Sequence, residues 1–271
     1  MIRQITVHML HLPETLKPAM ILVCFMKVHY EERGMENSQV IIFVHGAGGS
    51  SATWYYQLKG LQDSFHVVAI DLNGHGRTVD RAEEDTVESY LKDIDTVVDN
   101  FERPILAGHS MGGALTQFYA QRFATKLSGI ILVGTGAKLR CNPMIFDLLR
   151  NNFDGYIEAV GEFMFHENTP LELIEASKRE VRKCSPDVIS RDFGMCDAFD
   201  IMDDVCSIKL PTLIIVGDSD VMTPVKYSQF LADKIPNTTM KIIEEAGHSV
   251  MLEQWEQFND TIIEWIHSTS G

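Results

Sequence analysis

Short, wholly apolar runs alternate along most of the chain with longer segments whose apolar residues recur at helical spacing. Residues 40–44, 67–70, 104–107 and 130–133 are continuous apolar runs of strand length, and 211–216 is another but for Thr212, the pattern of strands buried on both faces of a parallel sheet. Between them, residues 51–61, 86–101 and 114–124 read as helices. In 86–101 the apolar side chains Val87, Leu91, Ile94, Val97 and Val98 fall on one face, with acids opposite. A helix over 224–235, a strand over 239–243 and a closing helix over 250–266 complete the series. Such alternation predicts an α/β fold with a mostly parallel sheet and helices on both faces.

Two stretches depart from this rhythm. Residues 137–208 contain no convincing strand. Instead 143–150, 156–166, 170–183 and 186–199 each look helical, with aromatics and methionines on their apolar sides. They predict a helical lid inserted into a core made of 26–136 and 209–271. Residues 1–25 form an extension whose role is open: Ile2–Val7 partly alternates like a strand, and Pro13 and Pro18 interrupt the residues beyond it. Met26-Lys27-Val28-His29-Tyr30 reads as the first strand of the domain, with Met26 as a candidate start.

Composition narrows the function classes. The formal net charge of −15, without a block of consecutive Lys or Arg, gives a surface that repels phosphate backbones and anionic headgroups. Neither a nucleic-acid partner nor stable membrane association is therefore expected. The apolar stretch 19–26 is too short to span a bilayer, and no small-x-small cleavage site comes after it. Five cysteines, an odd number with no C-x-x-C pair, argue against a disulfide framework and for free thiols in a cytoplasmic protein. No close ligand pairs suggest a structural zinc. No cofactor is expected, and composition does not decide between monomer and homodimer.

Chemistry gathers just after the strands. The run 104–107 leads into Gly108-His109-Ser110-Met111-Gly112 and then into a helix, the strand–turn–helix context of a G-x-S-x-G nucleophile elbow. Gly108 and Gly112 fit where side chains would collide with the neighbouring strand and helix. A serine hydroxyl needs an adjacent base, itself oriented by a carboxylate. Asp218 and Asp220 come after the strand 211–216, and His248 after the strand 239–243. In a parallel sheet such positions converge on one edge, in the chain order Ser, Asp, His. Position alone leaves the two aspartates equivalent. The Met111 N–H, at the start of the elbow helix, is placed to donate to an oxyanion.

With these motifs in order, the chain resembles the α/β-hydrolase superfamily, specifically its lidded carboxylesterase-like branch. The resemblance spans residues 27–266 and rests on His45-Gly46-Ala47-Gly48-Gly49, the loop 71–77, the elbow, the loop 217–224 and Ala246-Gly247-His248. It implies an eight-stranded sheet with the lid inserted after the sixth strand. It also implies Asp220 as the triad acid, four residues before Pro224, with Asp218 as a loop-capping acceptor. Ala47 N–H becomes the second oxyanion donor. His109 should pack beneath the elbow, and His45 and His75 should brace loops.

The expected activity is a serine hydrolase acting on small, largely apolar carboxylic esters, with Ser110, Asp220 and His248 as the triad. Gly46, Phe146, Met164, Phe199, Val221 and Met222 are expected to line the pocket. Thioesters, lactones and carbon–carbon bonds are open to the same triad, and a slow-turnover ligand sensor would also retain it. Dehalogenases and epoxide hydrolases are disfavoured, because those relatives carry an aspartate where Ser110 stands.

Overall fold

The computed structural model describes residues 28–81 and 84–269. Seven strands form one sheet: β1 (Tyr30–Arg33), β2 (Val40–Val44), β3 (His66–Ile70), β4 (Ile105–His109), β5 (Gly129–Val133), β6 (Thr212–Gly217) and β7 (Thr238–Ile243). Their order is β1-β3-β2-β4-β5-β6-β7. β1 runs antiparallel to β3, with Tyr30 opposite Ile70, and every other pairing is parallel.

The apolar runs become strands because both of their faces are covered. Ile41, Phe43, Ala107, Ile131, Val133 and Ile215 point to one side, where Trp54, Phe258 and Trp265 pack on them. Their neighbours Ile42, Val44, Leu106, Ile130, Leu132 and Ile214 point to the other, onto Ile94, Leu115, Tyr119 and Leu231. This is the period-two alternation of a strand with apolar residues on both phases. Helices α1 (Tyr55–Gly60), α2 (Thr86–Val98) and α3 (Met111–Phe123) connect the first five strands.

Between β5 and β6 the chain forms four helices: α4 (Pro143–Asn151), α5 (Phe153–Phe163), α6 (Leu171–Val181) and α7 (Pro186–Ala198). Asn142 and Ser185 cap α4 and α7 by accepting amides from Met144 and Val188, and each is followed by a proline in the first turn. The insertion has a small core of its own, around Leu149, Tyr156, Ile157, Val188, Ile189 and Phe193. Its two ends are stitched together: Leu139 N–H donates to Phe199 O (3.2 Å) and Ile201 N–H to Ala137 O (2.8 Å). Beyond it come α8 (Val225–Lys234), α9 (Val250–Glu253) and α10 (Trp255–Thr269).

The described residues bear on four expectations. Seven strands, not eight, are present among the described residues, and the insertion comes after the fifth of them rather than the sixth. The eighth strand came from the resemblance alone, and the stretch 2–7 that could have carried one lies outside the described residues. Within the expected first strand, sheet pairing starts at Tyr30, opposite Ile70; Val28 and His29 are outside the strand, and Met26 and Lys27 lie outside the described residues. The closing helix is broken at Gln254, whose backbone leaves the helical region (φ −122°, ψ 48°). No helix among the described residues is long and apolar enough to cross a membrane.

Candidate active site

Ser110 lies between the end of β4 and the start of α3, in a positive-φ conformation (φ 52°, ψ −114°) that non-glycine residues rarely adopt. Its amide donates to Val133 O (2.9 Å), and its carbonyl accepts from Thr135 Oγ1 (2.9 Å) and Ala114 N–H (3.1 Å). The flanking glycines permit the turn by close approach. A Cβ on Gly108 would lie 2.1 Å from Gly112 O, and one on Gly112 would lie 2.4 Å from Val44 O. No side chain fits at either position.

His248 comes after β7 and is almost wholly buried. Its Nδ1 donates to Asp220 Oδ2 at 2.8 Å. The same oxygen accepts from Thr223 Oγ1 (2.8 Å), while Asp220 Oδ1 accepts the amides of Met222 (2.9 Å) and Thr223 (2.8 Å). Burial works against the charge on Asp220. The His248 ring and the Thr223 donors outweigh it, and hold the carboxyl well below the usual carboxylate range. With Nδ1 committed to Asp220, Nε2 is the acceptor of the ring. Asp218 is exposed and accepts from Ser219 Oγ (2.9 Å), so the two aspartates that sequence position left equivalent are not equivalent in space.

His109 packs under the elbow as expected, donating from Nε2 to His248 O (2.9 Å). Burial and the neighbouring His248 push its pKa down to about 3, which keeps the ring neutral. His45 braces the first glycine loop. Its Nδ1 donates to Gly46 O (2.8 Å) and its Nε2 accepts from Leu72 N–H (3.2 Å). Burial, then the charge of His75, lowers its pKa to about 4, in keeping with that neutral tautomer. Ala47 N–H makes no hydrogen bond among the described residues, and Met111 N–H is in the first turn of α3, where the helix supplies no acceptor.

These groups form the floor of a cavity of about 690 Å³ between the sheet edge and the helical insertion. Gly46, Ala47, Ser110, His109 and His248 contribute the floor, and Met164, Val221 and Met222 are among the lining residues. Most of its remaining wall comes from the insertion, whose apolar contribution includes Ile145, Leu148, Tyr156, Val160, Phe163 and Phe193. Two expected lining residues lie elsewhere. Phe146 packs into the insertion's own core. Phe199, just past α7, turns down onto α3, with its ring 5.0 Å from that of Phe118. Among the described residues no cluster of three His, Cys, Asp or Glu side chains is arranged to hold a metal ion.

Two carboxylates escaped sequence reasoning. Glu253, in α9, accepts Gly247 N–H (2.7 Å) from the His248 loop, together with His166 N–H (2.5 Å) and Thr169 Oγ1 (2.9 Å) from the insertion. Asp192 lies fully buried in α7 and reaches the glycine loop. The available signal was an acid on an apolar face: Val188, Asp192, Met195 and Cys196 share one side of α7 at helical spacing. A serine and a carboxylate-backed histidine on the floor of one cavity, with free amides nearby and an apolar roof, are equipped for acyl transfer.

The family model described as serine aminopeptidase, S33, matches residues 35–255. The proline iminopeptidase PfmaB of Pestalotiopsis fici is 29% identical over 88% of this chain and 94% of its own length. A putative carbamate hydrolase, RutD, of a Caulobacter species is 27% identical over 84% of this chain and 90% of its own. Among solved structures, a thermophilic esterase superposes with a TM-score of 0.77 at 31% identity, covering 84% of this chain and 90% of that one.

Proposed function

The chain belongs to the serine aminopeptidase S33 family of the α/β-hydrolase superfamily, and from that premise we propose that it hydrolyses small, largely apolar carboxylic esters through an acyl-enzyme on Ser110. The carrying observation is Ser110 in its positive-φ turn at the floor of an apolar cavity that also holds His248, itself bonded to Asp220.

Each of these groups has a step in the reaction. Ser110 Oγ attacks the ester carbonyl carbon while its proton passes to His248 Nε2. The tetrahedral oxyanion accepts from the Ala47 and Met111 amides. As the intermediate collapses, the carbon–alkoxy bond breaks and the leaving alcohol takes the proton from His248. Water then gives a proton to His248 and attacks the acyl carbon. The second collapse frees the acid and returns the proton to Ser110, so that one ester and one water give one acid and one alcohol. The insertion acts as a lid that keeps bulk water from the cavity and shapes the substrate.

Esters are favoured over peptides by the wall of the cavity. Glu180 is the single carboxylate lining it among the described residues, and it is an exposed rim group already bonded to Lys183. Such a wall offers no buried anion to a substrate's free α-amino group. The test pairs a panel of p-nitrophenyl esters with a fluorophosphonate probe. Wild-type protein is expected to turn over short-chain esters and to carry the probe on Ser110. Ser110→Ala should lose at least about 10⁴-fold in kcat with its fold unchanged. Labelling elsewhere, or retained turnover, would falsify the assignment.

A further inference from the structure

Resting on that hydrolase reading, we infer that Asp192, on helix α7 of the lid, is a positioning residue for the reaction. By holding the Gly48 N–H it fixes the peptide after Ala47, and so aims the Ala47 N–H at the oxyanion. The lid thereby completes the floor of the site as well as roofing it.

Ala47 sits between two peptide planes, and each plane has its own holder. The Gly46–Ala47 peptide is pinned at its carbonyl, which accepts from His45 Nδ1 (2.8 Å) and from Gly49 N–H (3.0 Å). In a planar trans peptide a pinned carbonyl sends the N–H the opposite way, and Ala47 lines the cavity. The Ala47–Gly48 peptide is pinned at its N–H, and the holder is Asp192 Oδ2 at 2.9 Å, 144 residues away in the chain. Gly48 is in the positive-φ region (φ 67°), and a Cβ there would lie 3.2 Å from Ile189 Cγ1. Helix α7 thus rests directly on the loop that supplies the donor.

A carboxylate suits this task because a charged acceptor holds a backbone N–H more firmly than a neutral one. Burying it requires compensation, and the core supplies it. His75 Nε2 lies 2.8 Å from Asp192 Oδ2 and Tyr90 Oη donates to Oδ1 at 2.5 Å. The other nitrogen of His75 faces Asn73 O at 3.1 Å, so both ring nitrogens meet acceptors and the imidazole is doubly protonated. Burial opposes that charge, but Asp192 prevails and raises the pKa of His75 to about 10. The carboxylate of the lid, the cation of the Asp71–Arg77 loop and the amide of the glycine loop form one unit. A lid held only by apolar contact would need none of these groups.

Two substitutions test the assignment. Asp192→Leu removes the acceptor at similar volume, whereas Asp192→Asn keeps one carbonyl oxygen for the Gly48 amide. With a short p-nitrophenyl ester, Asp192→Leu should lose about 100-fold in kcat while KM stays within about twofold. Its affinity for a trifluoromethyl ketone that mimics the tetrahedral intermediate should fall by a comparable factor. Asp192→Asn should restore roughly tenfold of the loss. A role limited to anchoring the lid would raise KM and leave kcat alone. That pattern, or a folded Asp192→Leu protein with kcat within about threefold of wild type, overturns the inference.

A second readout needs no substrate. Amide exchange of Gly48, tracked by NMR, should be about tenfold faster in Asp192→Asn than in wild type, and faster again in Asp192→Leu if that variant folds. Unchanged exchange in Asp192→Asn also overturns the inference. If the wild-type protein hydrolyses no ester, the hydrolase reading fails, and the exchange result still decides whether Asp192 holds the loop.

Discussion

At the scale of single residues the difference between Asp218 and Asp220 is a matter of what surrounds each carboxylate. Asp220 is buried and accepts from two amides, a threonine hydroxyl and His248, whereas Asp218 faces solvent two residues earlier. Asp220→Asn should therefore cut kcat by about 10³-fold or more, because an amide facing Nδ1 no longer stabilises the imidazolium and favours the wrong tautomer. Asp218→Asn should leave kcat within about twofold. Steady-state kinetics on both variants checks the pair, and an equal loss in the two would defeat the assignment. Both carboxylates were visible in the sequence, and only the resemblance separated them. Asp192 was not visible as a functional group, since its partners Gly48, His75 and Tyr90 are 144, 117 and 102 residues away. Pattern reading sees what is near in the chain, and this contact is made only by the fold.

Elements obey the pattern wherever one periodicity applies without competition. The buried strands and the four insertion helices lie within a few residues of where the apolar spacing puts them, because local signals, apolar period in the strands and caps with prolines at the starts of α4 and α7, fix them. The closing helix departs from its pattern. Its apolar period runs on through Gln254, but the chain turns there, Gln254 Nε2 donates to Glu245 O (3.1 Å), and Trp255 stacks on Tyr56 at 5.4 Å. The turn separates α9 from α10 and leaves Glu253 facing the His248 loop and the 166–169 segment of the insertion together. Glu253→Ala would strand the amides of Gly247 and His166, at a cost of about 1–3 kcal/mol for a buried donor left without a partner. Urea denaturation should show that loss. The kcat should also fall by about tenfold, since Gly247 immediately precedes His248. A stability loss with kcat unchanged would show that Glu253 only fastens the insertion. Elements that belong to one layer are readable from periodicity, and contacts that join two layers are not.

Across the whole molecule the insertion and the core are joined by charges that composition does not reveal. The formal net charge of −15 counts every carboxylate wherever it lies and every histidine as neutral, yet the joint contains a buried cation, His75, against a buried carboxylate, Asp192. This pair makes stability depend on pH in a definite direction. An unfolded histidine releases its proton near pH 6.5, while folded His75 keeps it to about pH 10. Between those values the folded chain binds a proton that the unfolded chain has lost, so unfolding releases it and stability falls as pH rises. The contribution of His75 is whole below the unfolded value and gone above the folded one. Other groups titrate in the alkaline range, and self-repulsion of an acidic surface grows there as well, so the wild-type slope alone is not diagnostic. His75→Gln supplies the reference. It should be less stable than wild type at about pH 6.5 by about 3–5 kcal/mol, because Asp192 stays buried without its cation. The gap should then narrow steadily toward pH 10. Urea midpoints measured in half-unit steps track the gap directly, and a gap that stays constant across the range would mean that His75 is not the proton carrier at this joint.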